Sequence, residues 1–269
     1  MRESERLSKG SRVAGWLRNE RGEVMPATLR TDMWWLEQLL VVAVLGGFGI
    51  YATWAALQNA HYYVAPYLSP FYSPCLSANC KHVSLPLIGS WWNLSPAFLI
   101  LWIPGGFRAT CYYYRKAYYR SFFGWPPACG VRDWSKRYTG EVRFPLLAQN
   151  IHRYFFWLSL PVLAFLWWDA ALAFDFGGRF GMGVGSLVLT INAGLLSLYS
   201  FSCHSCRHLC GGHVDVFSAS PAKHRLWRIT TVLNERHALF AWISLVWVGL
   251  SDLYVRLLSM GAIRDVRFF

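Results

Sequence analysis

The sequence predicts an all-α polytopic membrane protein, five transmembrane helices in a bundle with the N-terminus in the cytoplasm. Three observations carry this. Of 269 residues, 55% are hydrophobic and only 15% are charged, well below the ~25% charge of a soluble domain. Fifteen Trp, fourteen Tyr and eighteen Phe are too many for one water-soluble core of this length. Five apolar stretches are each long enough to cross a hydrocarbon layer of ~30 Å. The same observations exclude a disordered chain, a secreted disulfide miniprotein and most soluble enzymes.

In chain order, residues 1–31 read as a polar cytoplasmic segment and residues 32–269 as the transmembrane domain. The first helix spans about 34–57, with Glu37 near its start. The second spans about 94–114, is interrupted by Pro104-Gly105-Gly106 and carries Arg108. The third spans about 149–174 and contains Pro161, and the fourth, about 180–201, holds no charge. The fifth spans about 237–255. All are expected to be helices, because in lipid an open chain has no other way to satisfy its backbone polar groups. The first ~30 residues lack the short apolar region of a cleavable signal peptide.

The net charge of +12 would suit nucleic acid, but its distribution argues for topology. If five helices alternate, 21 of the 26 Lys and Arg residues fall on the side of the N-terminus. Positive charge collects on the cytoplasmic side, so the chain is expected to be multi-pass in the inner (plasma) membrane with no role in nucleic-acid binding. Trp34-Trp35, Trp91-Trp92 and Trp167-Trp168 lie near helix ends, where interfacial anchors sit.

That orientation sorts the seven Cys and eight His. Cys75 and Cys80 share an outer loop and are expected to form a local disulfide in an oxidising compartment. On the cytoplasmic side, Cys111, His152, Cys203 and His237 lie roughly 27–35 Å from the outer boundary, counted at about 1.5 Å per residue. If Cys203–Cys210 is helical, Cys203, Cys206 and Cys210 share one face within about 60°, while His204 and His208 lie on another. A cluster of mixed ligands then takes Cys203 and Cys206 from this helix and His152 and His237 from its neighbours, with Cys111, His204, His208 and Cys210 as alternates. Two thiols and two imidazoles suit tetrahedral zinc or a Rieske-type [2Fe–2S] cluster. Haem b clamped by His152 and His237 is the rival redox group, and a cofactor-free anchor or transporter is the non-redox alternative.

The runs Ser73-Pro74-Cys75, Arg108-Ala109-Thr110-Cys111-Tyr112-Tyr113-Tyr114-Arg115-Lys116-Ala117-Tyr118-Tyr119-Arg120, Gln149-Asn150-Ile151-His152-Arg153-Tyr154-Phe155-Phe156 and Ser202-Cys203-His204-Ser205-Cys206-Arg207-His208 resemble the membrane-anchor subunit of the actinobacterial-type succinate dehydrogenase, respiratory complex II. The resemblance covers nearly the whole chain from about residue 30. It implies a five-helix anchor holding a Rieske-type [2Fe–2S] cluster instead of haem. It also implies partnership with a flavoprotein subunit that oxidises succinate and an iron–sulfur subunit that delivers electrons, in a complex open to higher oligomers. The anchor would pass those electrons to a membrane quinone, expected to be menaquinone, and would not oxidise succinate alone. The ligand choice rests on the helix-end geometry and not on the resemblance.

Arg108 is the pointed ionisable residue inside an apolar span. With Tyr112, Tyr113, Ser202, His204 and His208 it forms the expected quinone neighbourhood, an imidazole of pKa ~6.5 being a suitable proton donor. The basic residues Arg115, Lys116, Arg120, Arg132, Lys136, Arg137, Arg225 and Arg228 are expected to face the soluble subunits.

Overall fold

The computed structural model describes residues 28–76, 94–124, 126–132 and 146–269. Within them the chain is helical: α1 Leu36–Gln58, α2 Ala97–Ala109, α3 Tyr112–Phe122, α4 His152–Leu172, α5 Val184–Phe201, α6 His204–Gly211, α7 Pro221–Glu235 and α8 His237–Ser259. A two-residue antiparallel ribbon, β1 Tyr63–Val64 with β2 Tyr67–Leu68, sits between α1 and α2. Four helical stretches are long and apolar enough to cross a membrane: Leu36–Gln58, Leu147–Leu172, Val184–Phe201 and His237–Ser259. Ala97–Ala109 is a shorter apolar helix. The molecule is a polytopic helical membrane protein.

The structure departs from the sequence reading at two helix ends, and both departures concern the site. The expected second span ran to about residue 114, interrupted at Pro104-Gly105-Gly106; the helix in fact passes through those residues. Instead α2 stops at Ala109 and α3 begins at Tyr112. At the break the Thr110 N–H and hydroxyl both return to the Gly106 carbonyl, at 3.0 and 2.7 Å, and the Cys111 N–H tightens onto the Arg108 carbonyl at 3.1 Å. Such back-bonding bends helices, and Gly105-Gly106 lowers helix propensity beside it. Cys111 is left at the elbow. The second departure follows α5. Cys203 has an extended backbone (φ −66°, ψ 147°), and its sulfur accepts the Ser205 N–H at 3.4 Å as the N-cap of α6. Cys203 therefore does not share a helical face with Cys206 and Cys210, contrary to the expectation.

The chain divides into two compact units, Met1–Ala43 with Ala117–Thr139, and Val44–Lys116 with Gly140–Phe269. In the described part of the first, Thr28 donates to the Gly130 carbonyl at 2.7 Å, and Arg30 pairs with Asp32 while donating to the Cys129 carbonyl at 2.7 Å. Arg120 lies 3.6 Å from Glu37.

The second unit carries the site. Where α4, α5 and α8 meet, buried small residues, Ala170, Ser186, Ala193, Ser244 and Ser251, let backbones approach closely. Close packing of this kind is what drives helix association in lipid. The Trp247 indole N–H crosses from α8 to the Val188 carbonyl of α5 at 3.1 Å.

At the end away from His152 and His237, buried Tyr67, Leu68, Phe71 and Tyr72 plug the bundle. The Tyr72 hydroxyl donates to the Ala55 and Ala56 carbonyls (2.9 and 3.2 Å), satisfying two that the end of α1 leaves open. Beside this plug lies an ion pair wholly out of contact with solvent: Asp252 is 0% and Arg256 2% exposed, Nε to carboxylate 3.3 Å. Tyr51 (2.5 Å) and Ser69 also donate to Asp252, and Arg256 reaches the Ala60 carbonyl at 2.8 Å with Trp54 under its guanidinium. Nearby, Asp265 accepts Tyr67 and Tyr254 hydroxyls (2.5 and 2.6 Å) and the Gly185 N–H (3.1 Å), so a residue near the C-terminus caps α5.

Candidate functional site

Four elements bring sulfur and imidazole groups together at the other end of the second unit. His152 opens α4, and its Nε2 lies 3.0 Å from Cys203 Sγ. His237 opens α8, and its Nε2 lies 3.4 Å from Cys111 Sγ. The two pairs adjoin. Burial first, and then the Cys111 sulfur, push the Cys203 thiol up to about 11 against the opposing Ser205 N–H. Among the described residues, no three His, Cys, Asp or Glu side chains form a ready-made metal cage. What is present is two thiol–imidazole pairs, four soft or borderline donors from four places in the chain.

Hydrogen bonds fix which nitrogen each imidazole presents. Thr110 Oγ1 gives its proton to the Gly106 carbonyl, so its 2.9 Å contact with His152 Nδ1 requires a proton on that nitrogen. Ser202 Oγ likewise donates to the Tyr199 carbonyl (3.1 Å) and must accept from His237 Nδ1 at 2.7 Å. In both rings Nε2 is left as a bare lone pair aimed at a sulfur. This is the arrangement in which a hydrogen-bonded partner sets the tautomer and raises ligand basicity. The rings are also held by stacking, Phe107 on His152 at 4.9 Å and Tyr199 on His237 at 5.1 Å.

Tyr199 is peculiar. Its ring is buried, and among the described residues its hydroxyl makes no well-aligned hydrogen bond. That hydroxyl approaches the Cys111 sulfur. The Arg108 guanidinium sits 4.6 Å from the ring centre.

The other expected site residues separate. Cys206 turns to Cys210 one helical turn on, and burial, then Cys210, push its thiol up to about 12. Arg108 donates to Tyr114, the Ala241 carbonyl (3.1 Å) and Ser244 Oγ (3.0 Å). It also lines an apolar cavity of about 150 Å³ with Phe48, Pro104 and Leu196. His204 and His208 line a different cavity of about 360 Å³, with Arg153, Trp157 and His213. Tyr113 stacks against His204 at 6.3 Å and packs on His237, while Tyr112 is half exposed. Ser202, expected beside a quinone, is the partner of His237. Cys75 is disulfide-bonded, and its expected partner Cys80 lies outside the described residues.

Sequence reasoning missed Thr110, Tyr199 and the Asp252–Arg256 pair. Only the last has a plain signal, an acid and a base at i, i+4 inside an apolar run.

Comparison with known proteins gives two findings. Residues 36–261 match the family described as actinobacterial succinate dehydrogenase subunit SdhC. A chain of the solved Mycobacterium smegmatis Sdh1 complex in the apo form is 44% identical, covering 94% of this chain and 98% of its own length, with a TM-score of 0.81. No curated protein matches.

Proposed function

Because this chain belongs to the family of the actinobacterial succinate dehydrogenase subunit SdhC, we propose that it anchors a succinate dehydrogenase in the plasma membrane and carries electrons from an iron–sulfur subunit to a membrane quinone. A flavoprotein subunit oxidises succinate on the cytoplasmic side. The single observation that carries the electron-transfer role is the double thiol–imidazole pair. Its donors, two thiols and two neutral imidazoles in a buried place, have the composition that a Rieske-type [2Fe–2S] cluster requires. Such a cluster, when bound, supplies a one-electron relay. Neutral imidazoles keep the buried charge small, which matters where uncompensated charge is costly.

The ligand set we favour is Cys111, His152, Cys203 and His237. It replaces the Cys206 of the sequence reading with Cys111, because Cys111 contacts His237 while Cys206 pairs with Cys210. Thr110 and Ser202 orient the two imidazoles, and Phe107 and Tyr199 shield them from water. We assign the quinone head group to the cavity of His204 and His208, which combines two imidazole proton donors with the apolar wall of Trp157. Arg108, fully engaged with Tyr114, Ala241 and Ser244, orders the bundle beneath Tyr199 instead. Five spans with a cytoplasmic N-terminus complete the reading. They are supported by the four long apolar helices, by the shorter α2 and by the charge distribution.

The test is electron paramagnetic resonance of the purified complex with iron and acid-labile sulfide analysis. We expect the low average g of an imidazole-ligated cluster, lost on Cys111→Ser, Cys203→Ser, His152→Ala or His237→Ala and kept on Cys206→Ser. Signal retained in the His152→Ala/His237→Ala double variant, or a haem Soret band in the unaltered complex, refutes the assignment.

A further inference from the structure

From the orphaned hydroxyl of Tyr199 we infer that this residue is a redox-tuning donor: its O–H hydrogen-bonds to the Cys111 sulfur once that sulfur is a thiolate, and so raises the reduction potential of the centre. The inference rests on the cluster reading above and adds a positioning residue to it.

Five observations converge on the assignment. Tyr199 is buried at the heart of the site, its hydroxyl makes no well-aligned hydrogen bond among the described residues, and that hydroxyl approaches Cys111. A buried phenol without an acceptor is rare and calls for an explanation. A protonated Cys111 is a poor acceptor, whereas a thiolate bound to metal is a charged one, and hydrogen bonds to charged groups are about twice as strong. The ring is held from several sides, stacked on His237 at 5.1 Å, tilted against Phe107 at 5.2 Å and edge-on to Tyr114 at 6.1 Å, so the hydroxyl has a fixed direction. Arg108, 4.6 Å from the ring centre, withdraws electron density and makes the O–H a better donor.

The sign follows from charge. One electron arriving from the iron–sulfur subunit makes the ligand sulfur more negative, and the hydrogen bond strengthens with it. Tyr199 keeps its proton throughout. The bond therefore stabilises the reduced state more than the oxidised one, and hydrogen bonds to cluster sulfurs are an established lever on potential.

Redox-titrated electron paramagnetic resonance of the whole complex tests this. Tyr199→Phe preserves the ring and its stacking and removes only the donor. We expect about a tenfold fall in the equilibrium constant for cluster reduction, a potential about 59 mV lower for a one-electron couple, with iron and sulfide content unchanged. Replacement of Tyr199 by 3-fluorotyrosine, a stronger donor, should move the potential the opposite way. Deuterium exchange should reveal one exchangeable proton coupling in the unaltered complex that is missing from Tyr199→Phe, beside the His152 and His237 Nδ1–H couplings that both forms keep. Unchanged potentials in both variants, with the cluster spectrum present, overturn the inference and leave the proposed function standing. Absence of any cluster signal from the unaltered complex overturns both.

Discussion

Replacing Asp252 with alanine strands a cation inside the bundle. The carboxylate accepts from Tyr51 at 2.5 Å, from Ser69 and from Arg256 at 3.3 Å, and neither member of the ion pair is measurably open to solvent. Removing it leaves the guanidinium with the Ala60 carbonyl, the more distant Ala55 carbonyl and the Trp54 ring, none of which neutralises it. Breaking a buried pair from one side costs about 3–5 kcal/mol. At about 2–4 °C per kcal/mol for chains approaching this size, the melting temperature should fall by roughly 6–20 °C. Thermal denaturation of the detergent-solubilised complex, followed by tryptophan fluorescence, reads it directly. The double variant Asp252→Leu/Arg256→Met removes both charges and should recover most of the loss, since well-packed apolar replacements of buried pairs are often neutral. A single variant that loses under about 1 kcal/mol, or a double variant as damaged as the single, would refute the view that charge pairing holds this end together.

Three further outcomes follow from the geometry. A methyl group on Gly106 would collide with the Phe155 ring, so Gly106→Ala should force α2 from α4, part Thr110 from His152 and lower iron content, and Phe155→Ala should restore it. Thr110→Val removes the acceptor for His152 Nδ1 without changing shape; loss of such a partner lowers metal affinity about 10–100-fold, readable as iron per complex after graded chelation. Asp265→Ala deprives α5 of its cap and should destabilise the complex by about 0.5–2 kcal/mol, seen as faster proteolysis near residue 184 with the cluster spectrum unaltered.

The membrane class was legible because lipid permits few solutions, and apolar length alone announces them. His152 and His237 were legible too, since each begins an apolar run at a similar depth. Helix continuity was not. Nothing in the hydropathy of Ala109-Thr110-Cys111 reveals that α2 ends there, yet it is Cys111 at that elbow that meets His237. Cys203 misled in the same way: periodicity placed it on a face with Cys206, whereas its capping of α6 directs its sulfur to His152. Ser202 and Thr110 were invisible as imidazole partners because they meet their histidines across 35 and 42 residues of chain. Arg256 escapes notice because the expected fifth span ends at residue 255, one residue before it, although Asp252 four residues earlier is its partner.

The membrane helices are enclosed by the chain to very different degrees. In α1, the most apolar of the four long helices, only 11% of the spanning window is buried within the chain, against 44% in α8. Gly46, Gly47 and Gly49 of α1 would each accept a methyl group without touching anything. Apart from Tyr51, Trp54, Ala55 and Ala56, which face the Asp252–Arg256 pair and the core, most α1 side chains have no packing partner within the chain and should tolerate apolar exchange. The thickness and fluidity of the host bilayer, or the choice of detergent, should be felt first by this helix and last by the serine- and histidine-bearing α8.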